Sequence, residues 1–342
     1  MLALSDTVRQ MQGRALELWG FGPSECRYRV VASGKIWRLR EYADSGAGPP
    51  LLIVAAPIKR PYIWDIAPTM SVVRLCLQRR FRVYLLEWTT PSYEERNAGL
   101  ADYTVRSIGR AVAAVLSEAG GARPFVIGHS LGGTFAAIFA AFNPASLRGL
   151  VLLSSPLSFA PGSSAFRDAL VAITPPMLAA TNIVPGSLLS LLSAAAAPET
   201  FLWSRLVDAG LSLSDSSALE MHLRIERWTL DEFPLPVRLV HEALWWLYRE
   251  DRLCAGTLRI DDNIVGPQSL HCPTLAVVNT ADAIVPASSI APFTDRMLPG
   301  YAHLIEYPGE IGVGLQHLAV LVGRRAHASL WPKIVAWLHA QK

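Results

Sequence analysis

The sequence predicts an α/β chain, built on a mainly parallel sheet with helices on both faces, and three observations carry that expectation. Short continuous apolar runs alternate with helical patterns as far as Leu153. One run, Phe125-Val126-Ile127, passes through a glycine turn straight into a helix of small residues. Strand signals then cease through a long helical stretch and return at Thr274.

In chain order, Leu4, Val8, Met11, Leu16 and Trp19 fall at the spacing of an amphipathic helix. Asp6, Arg9 and Arg14 interrupt them, so the segment lacks the unbroken apolar region of an export signal. Tyr28 to Val31 and Ile36 to Tyr42 flank Ser33-Gly34-Lys35 and read as a β-hairpin. Leu51 to Ala56 and Phe81 to Trp88 are buried strands, with a short helix at Ser71 to Gln78 between them. Val105, Ile108, Val112, Val115 and Leu116 share one helical face, and Gly120-Gly121 ends that helix. After the glycine turn come a helix at Thr134 to Phe142, stopped before Pro144, and a strand at Leu150 to Leu153. Thr274 to Val278 and Ala302 to Tyr307 resume the sheet, and a helix around Trp331 to His339 closes it.

Ala160 to Leu258 is rich in Leu, Ala and Trp, helical in pattern, and shows no convincing strand series. The simplest arrangement is a core of residues 1–158 and 260–342 with a helical cap inserted at 159–259, over the carboxyl ends of the strands. The alternative is an ordinary second helical layer.

Composition narrows the function. With 51% hydrophobic and 17% charged residues over 342 positions, the chain can bury a large interior and is not disordered. A net charge of +3, scattered rather than clustered, does not suit a nucleic-acid partner. No window approaches the run of about 18 apolar residues that spans a bilayer. Cys26, Cys76, Cys254 and Cys272 lack CxxC spacing, which suits reduced thiols in a cytoplasmic protein. There is no metal-ligand spacing, GxGxxG or Walker loop, so neither a metal nor an organic cofactor is expected.

The chemistry centres on Gly128-His129-Ser130-Leu131-Gly132-Gly133. Gly-x-Ser-x-Gly alone is a weak signal, but a strand before it and a helix after it are the setting of a nucleophile elbow, hence of an α/β-hydrolase fold. A serine hydroxyl needs an adjacent base oriented by a third group. Asp282, just beyond the strand Leu275 to Val278, is placed to be that third group, though aspartate is also a common turn residue. Among eight histidines, His317 follows a strand and the glycine-bearing loop 308–314 and is the first candidate for the base, with His327 the second. His303 alternates within a strand, His339 lies near the end, and the His129 side chain is expected to point away from the nucleophile. Main-chain N–H groups of Leu131 and of the loop near Ile58 would form the oxyanion hole.

Several motifs resemble the polyhydroxyalkanoate synthase family of the α/β-hydrolase superfamily. They are Pro57-Ile58-Lys59-Arg60-Pro61-Tyr62-Ile63-Trp64-Asp65, Val83-Tyr84-Leu85-Leu86-Glu87-Trp88, Glu226-Arg227-Trp228-Thr229-Leu230-Asp231 and Asp282-Ala283-Ile284-Val285-Pro286. Leu253-Cys254-Ala255-Gly256 and Trp331-Pro332-Lys333-Ile334-Val335-Ala336-Trp337-Leu338 extend the resemblance over about residues 50–340. It looks most like the short synthase type that works with a second subunit. The departure is Ser130, where the family carries a nucleophilic cysteine; Glu310 departs as well, near the family's glycine-histidine pair.

That departure changes the chemistry. Acyl transfer from coenzyme A to cysteine conserves a thioester, whereas transfer to serine gives a plain oxygen ester. The sequence therefore predicts a carboxylic ester hydrolase acting through an acyl-serine on acyl esters, lactones or polyester oligomers. Trp228, Trp245 and Trp246 are candidate substrate contacts, or plain core. A synthase-type acyltransferase using hydroxyacyl-CoA is the main alternative, and a non-catalytic polymer- or partner-binding relative is the second. A homodimer through the cap is left open.

Overall fold

The computed structural model describes residues 2–43, 48–175, 182–310 and 315–341, with side chains from Ser5 onward. Its centre is an eight-stranded sheet. The strands are β1 (Tyr28–Ser33), β2 (Trp37–Tyr42), β3 (Pro50–Val54), β4 (Arg82–Trp88), β5 (Phe125–His129), β6 (Gly149–Leu153), β7 (Thr274–Asn279) and β8 (Ala302–Tyr307). Their spatial order is β1-β2-β4-β3-β5-β6-β7-β8. β2 pairs antiparallel with β1 and with β4, and every later pairing is parallel. The expected mainly parallel sheet is therefore present, and the hairpin forms its antiparallel edge.

The reason these runs become strands is visible in β3. Leu51 and Ile53 point into one apolar layer and Leu52 and Val54 into the other, and none of the four is exposed. A strand covered on both faces has no polar side, so it reads as a continuous apolar run. One layer is closed by the helix Leu131–Phe142 through Phe135, Ala136 and Phe139, the other by the last helix, Trp331–Ala340, through Trp331, Ile334 and Leu338. Each such buried Leu, Ile or Phe contributes roughly 1.5–3 kcal/mol relative to exposure.

The described residues between 165 and 255, which separate β6 from β7, are mostly helical. One small strand pair interrupts the pattern, Ile183–Val184 against Leu235–Pro236, and a second follows it, Leu258–Ile260 against Asn263–Val265. The second is a tight hairpin whose turn holds Asp261 at φ 48°; three-residue strands are too short to show a period in sequence.

The first helix, α1 (Leu2–Leu16), forms where the spacing places it, but its apolar face stays largely exposed. Val8 and Met11 of the expected apolar face are 45% and 64% exposed, and Trp19 just beyond is 74% exposed. The Leu4 side chain lies outside the described residues. Polar contacts hold the helix instead: Asp6 accepts from the Ser187 N–H at 3.0 Å, and Arg9 pairs with Glu232 and donates to the Thr229 carbonyl at 2.7 Å.

Cys76, Cys254 and Cys272 are buried and Cys26 is partly so, all outside any disulfide. Burial pushes the Cys76 thiol up to about 12 and Cys272 up to about 11. Among the described residues, no helix is long and apolar enough to cross a membrane.

Candidate active site

β5 ends at His129, α2 (the helix Leu131–Phe142) begins at Leu131, and Ser130 makes the whole turn between them. Its backbone sits at φ 54° and ψ −134°, a region that costs a residue with a side chain on the order of 1–3 kcal/mol. The neighbours hold it there. The Ser130 N–H donates to the Leu153 carbonyl at the end of β6, 3.1 Å away, and the Thr134 hydroxyl donates to the Pro156 carbonyl at 2.7 Å.

The glycines are required by space. A Cβ on Gly128 would stand 2.5 Å from the Gly133 Cα, one on Gly132 would stand 2.4 Å from the Val54 carbonyl oxygen, and one on Gly133 would stand 1.9 Å from the Ser155 hydroxyl. The turn is thus pressed against the ends of β3 and β6. Helix α2 starts three residues earlier than expected because Gly132 and Gly133 are its first turn, not part of the loop.

Asp282 follows β7 and is 2% exposed. One carboxylate oxygen accepts the N–H groups of Ile284 at 2.9 Å and Val285 at 3.2 Å. The other meets Nδ1 of His317 at 2.7 Å. Burial pushes this carboxyl up, but the His317 ring and the two N–H donors outweigh it and hold Asp282 below its ordinary value. An ionised Asp282 requires the proton on Nδ1, which leaves Nε2 of His317 with its lone pair.

Ser130, Leu131, Ile58 and His317 line a single cavity of about 490 Å³, with Asp282 behind His317. Leu131 opens α2, so its N–H has no intrahelical acceptor and is available to a ligand. The helical stretch supplies much of the remaining wall, including Phe166, Leu189, Phe201, Leu239, Leu244 and Tyr248. Trp228 lines the cavity, but Trp245 and Trp246 do not. They share a helical segment, Ala243–Arg249, that turns Ala243, Leu244 and Tyr248 inward instead. Trp245 stacks on His241 and Trp246 lies under the Arg252 guanidinium.

One end of the cavity is polar. Lys59 bonds Glu232 at 2.8 Å, the Ser190 hydroxyl at 3.1 Å and the Thr229 carbonyl, with Arg9 alongside. Burial outweighs Glu232 and brings the Lys59 ammonium down to about 8.

Of the other described histidines, His129 alone also lines the cavity. His327 donates to the Leu321 carbonyl at 2.7 Å and is outside the cavity wall; His303 packs on Trp337 and His339 on Phe81. Glu310 accepts from the Tyr307 hydroxyl at 2.7 Å and the Arg325 N–H at 2.9 Å, a structural brace. Residues 311–314 of the glycine-bearing loop lie outside the described residues. Two features were not read from sequence: the Lys59 cluster, whose partners are more than a hundred residues apart, and His129, whose ring lies 4.7 Å from that of His317.

Compared with known proteins, residues 61–310 match the alpha/beta hydrolase fold family. The chain is 29% identical over 291 residues to a poly(3-hydroxyalkanoate) polymerase subunit PhaC of Haloferax mediterranei, covering 84% of this chain and 58% of that protein. The protein of the same name from Synechocystis is 26% identical over 331 residues, covering 93% and 85%. The chain thus spans about three fifths of the length of the Haloferax mediterranei relative. Among solved structures, a monoacylglycerol lipase of Paleococcus ferrophilus superposes with a TM-score of 0.57 at 17% identity, over 90% of this chain and 99% of that one. An esterase of a Rhodococcus species does so at 0.52 and 16%, over 92% and 99%. These two likenesses concern the fold.

Proposed function

The chain belongs to the alpha/beta hydrolase fold family, and on that footing we propose that it is a serine-dependent carboxylic ester hydrolase. The observation that carries the reading is Ser130 at its strained turn, on the wall of one apolar cavity with the Asp282-backed ring of His317. In this mechanism Nε2 of His317 takes the Ser130 hydroxyl proton as Oγ attacks the ester carbonyl. The N–H groups of Leu131 and Ile58 receive the oxyanion, each contributing on the order of 3 kcal/mol to the barrier. His317 passes its proton to the departing alkoxide, then deprotonates the water that releases the acid and restores Ser130. A positioned base of this kind is worth about 100- to 10,000-fold. The segment 159–259 acts as the cap that shapes the acyl site, with Trp228 among its contacts.

The names of the sequence relatives favour a second reading, acyl transfer from hydroxyacyl-CoA to a growing polyester. Ser130 speaks against it, since an acyl-serine lacks the activation a thioester retains. The test is one panel of p-nitrophenyl esters, lactones and 3-hydroxybutyryl-CoA, run on the native protein and Ser130→Ala. Free acid from esters, lost in the variant, supports hydrolysis; insoluble polymer from the thioester supports transfer. A protein that does neither, and takes up no fluorophosphonate, overturns both.

A further inference from the structure

The turn that carries His317 is fastened to the two strands that carry its partners. His129, the last residue of β5, contacts the His317 main-chain oxygen through Nε2 at 2.8 Å. Because a carbonyl oxygen only accepts, the His129 proton sits on Nε2 and the ring is the donor. Asn279, the last residue of β7, donates from Nδ2 to the Gln316 carbonyl at 2.8 Å and accepts the Ala281 N–H at Oδ1, 3.1 Å away. That single amide therefore ties the loop of Asp282 to the turn of His317. Both side chains are buried, His129 at 6% exposure and Asn279 at none.

Resting on the hydrolase reading, we propose that His129 is a positioning residue, a neutral imidazole whose Nε2–H clamps the main chain of His317, with Asn279 as its counterpart across the site. The base sits on a short helical turn, Gln316–Leu318, that leads into the buried helix Ala319–Val322, and these two side-chain donors fasten the turn to the strand ends beside Ser130 and Asp282. An error of about 1 Å in the placement of a reacting group costs on the order of 100-fold. The state of the His129 ring fits this role. Burial, reinforced by His317, pushes it down to about 3, so the ring stays neutral across the working pH range and the bond to the His317 carbonyl holds its one proton on Nε2.

The experiment compares His129→Phe, which keeps a ring without a donor, with His129→Gln, whose amide N–H reaches about as far as Nε2. Phe is expected to lower kcat for p-nitrophenyl butanoate about 10- to 100-fold with KM within about twofold, and Gln to recover to within about fivefold of native. Equal kcat in Phe and native protein, or equal loss in Phe and Gln, overturns the proposal. Nitrogen-15 spectra of the native protein provide an arm independent of variant folding. A protonated Nε2 on His129 that does not titrate between pH 5 and 8 supports the clamp, and a protonated Nδ1 overturns it. Native protein that cleaves no ester and takes up no fluorophosphonate overturns the hydrolase reading, and with it any catalytic role for the clamp, while the spectra still report the bond.

Discussion

Ser130 sits at φ 54° because the turn demands it, and serine is costly there. Ser130→Gly relieves the strain, so it is expected to abolish ester turnover yet raise unfolding stability by about 1 kcal/mol in a urea titration. Unchanged or lower stability would mean that the turn stores no strain. His129 gives a pH prediction. Its folded value of about 3 lies below the ordinary 6.5, so between those limits the unfolded chain binds the extra proton and stability falls as pH falls. Chemical denaturation of His129→Gln should therefore show a shallower loss from pH 6.5 to 4.5 than the native protein, by as much as about 1.4 kcal/mol per pH unit. The candidates Ser130, Asp282 and His317 were legible as a set because each follows a recognisable strand, and the structure brings Asp282 to His317 and His317 to the cavity that Ser130 lines. His129 was not. Strand alternation predicts that it points away from the site, but it lines the same cavity as Ser130 and meets the His317 turn there, a contact across 188 residues.

The elbow as an element depends on contact between backbones. Gly133→Ala would bring a Cβ to 1.9 Å from the Ser155 hydroxyl and 3.0 Å from the Gly128 carbonyl oxygen. It should cost about 3 kcal/mol or more, read as a lowered urea midpoint, whereas Gly210→Ala, with open space around it, should not. Helix α1 predicts the opposite behaviour. Ser5 and Arg9 line the cavity, yet from Ser5 to Leu16 only Gly13 is buried. Deleting residues 1–16 should leave the thermal midpoint within a few degrees and speed hydrolysis of bulky esters. A large drop in midpoint would show that the helix belongs to the core. Its amphipathic spacing was legible in sequence but its burial was not, since periodicity says which residues share a face and not what that face meets. Strand extents, by contrast, were read to within one or two residues for β4, β6, β7 and β8, where the apolar runs are bounded by polar or turn residues.

At the scale of the whole molecule, the alternation of strands and helices announced a parallel sheet, but its order needed the structure. No local pattern places β4 between β2 and β3. The cavity takes its walls from residues far apart in the chain, near Ser130 and His317 and in the stretch after β6, and its apolar lining sets an expectation for substrates. Each buried methylene is worth about 0.8 kcal/mol, so kcat/KM for p-nitrophenyl esters should rise about fourfold per carbon from ethanoate to butanoate before the cavity fills. A flat series would detach the cavity from acyl binding. The buried sulfurs bear on resilience. With Cys76 and Cys272 held as unreactive thiols and an oxygen at the elbow, iodoacetamide or mild peroxide finds no thiolate to disarm there, and turnover should survive a dose that would silence a thiol-dependent enzyme.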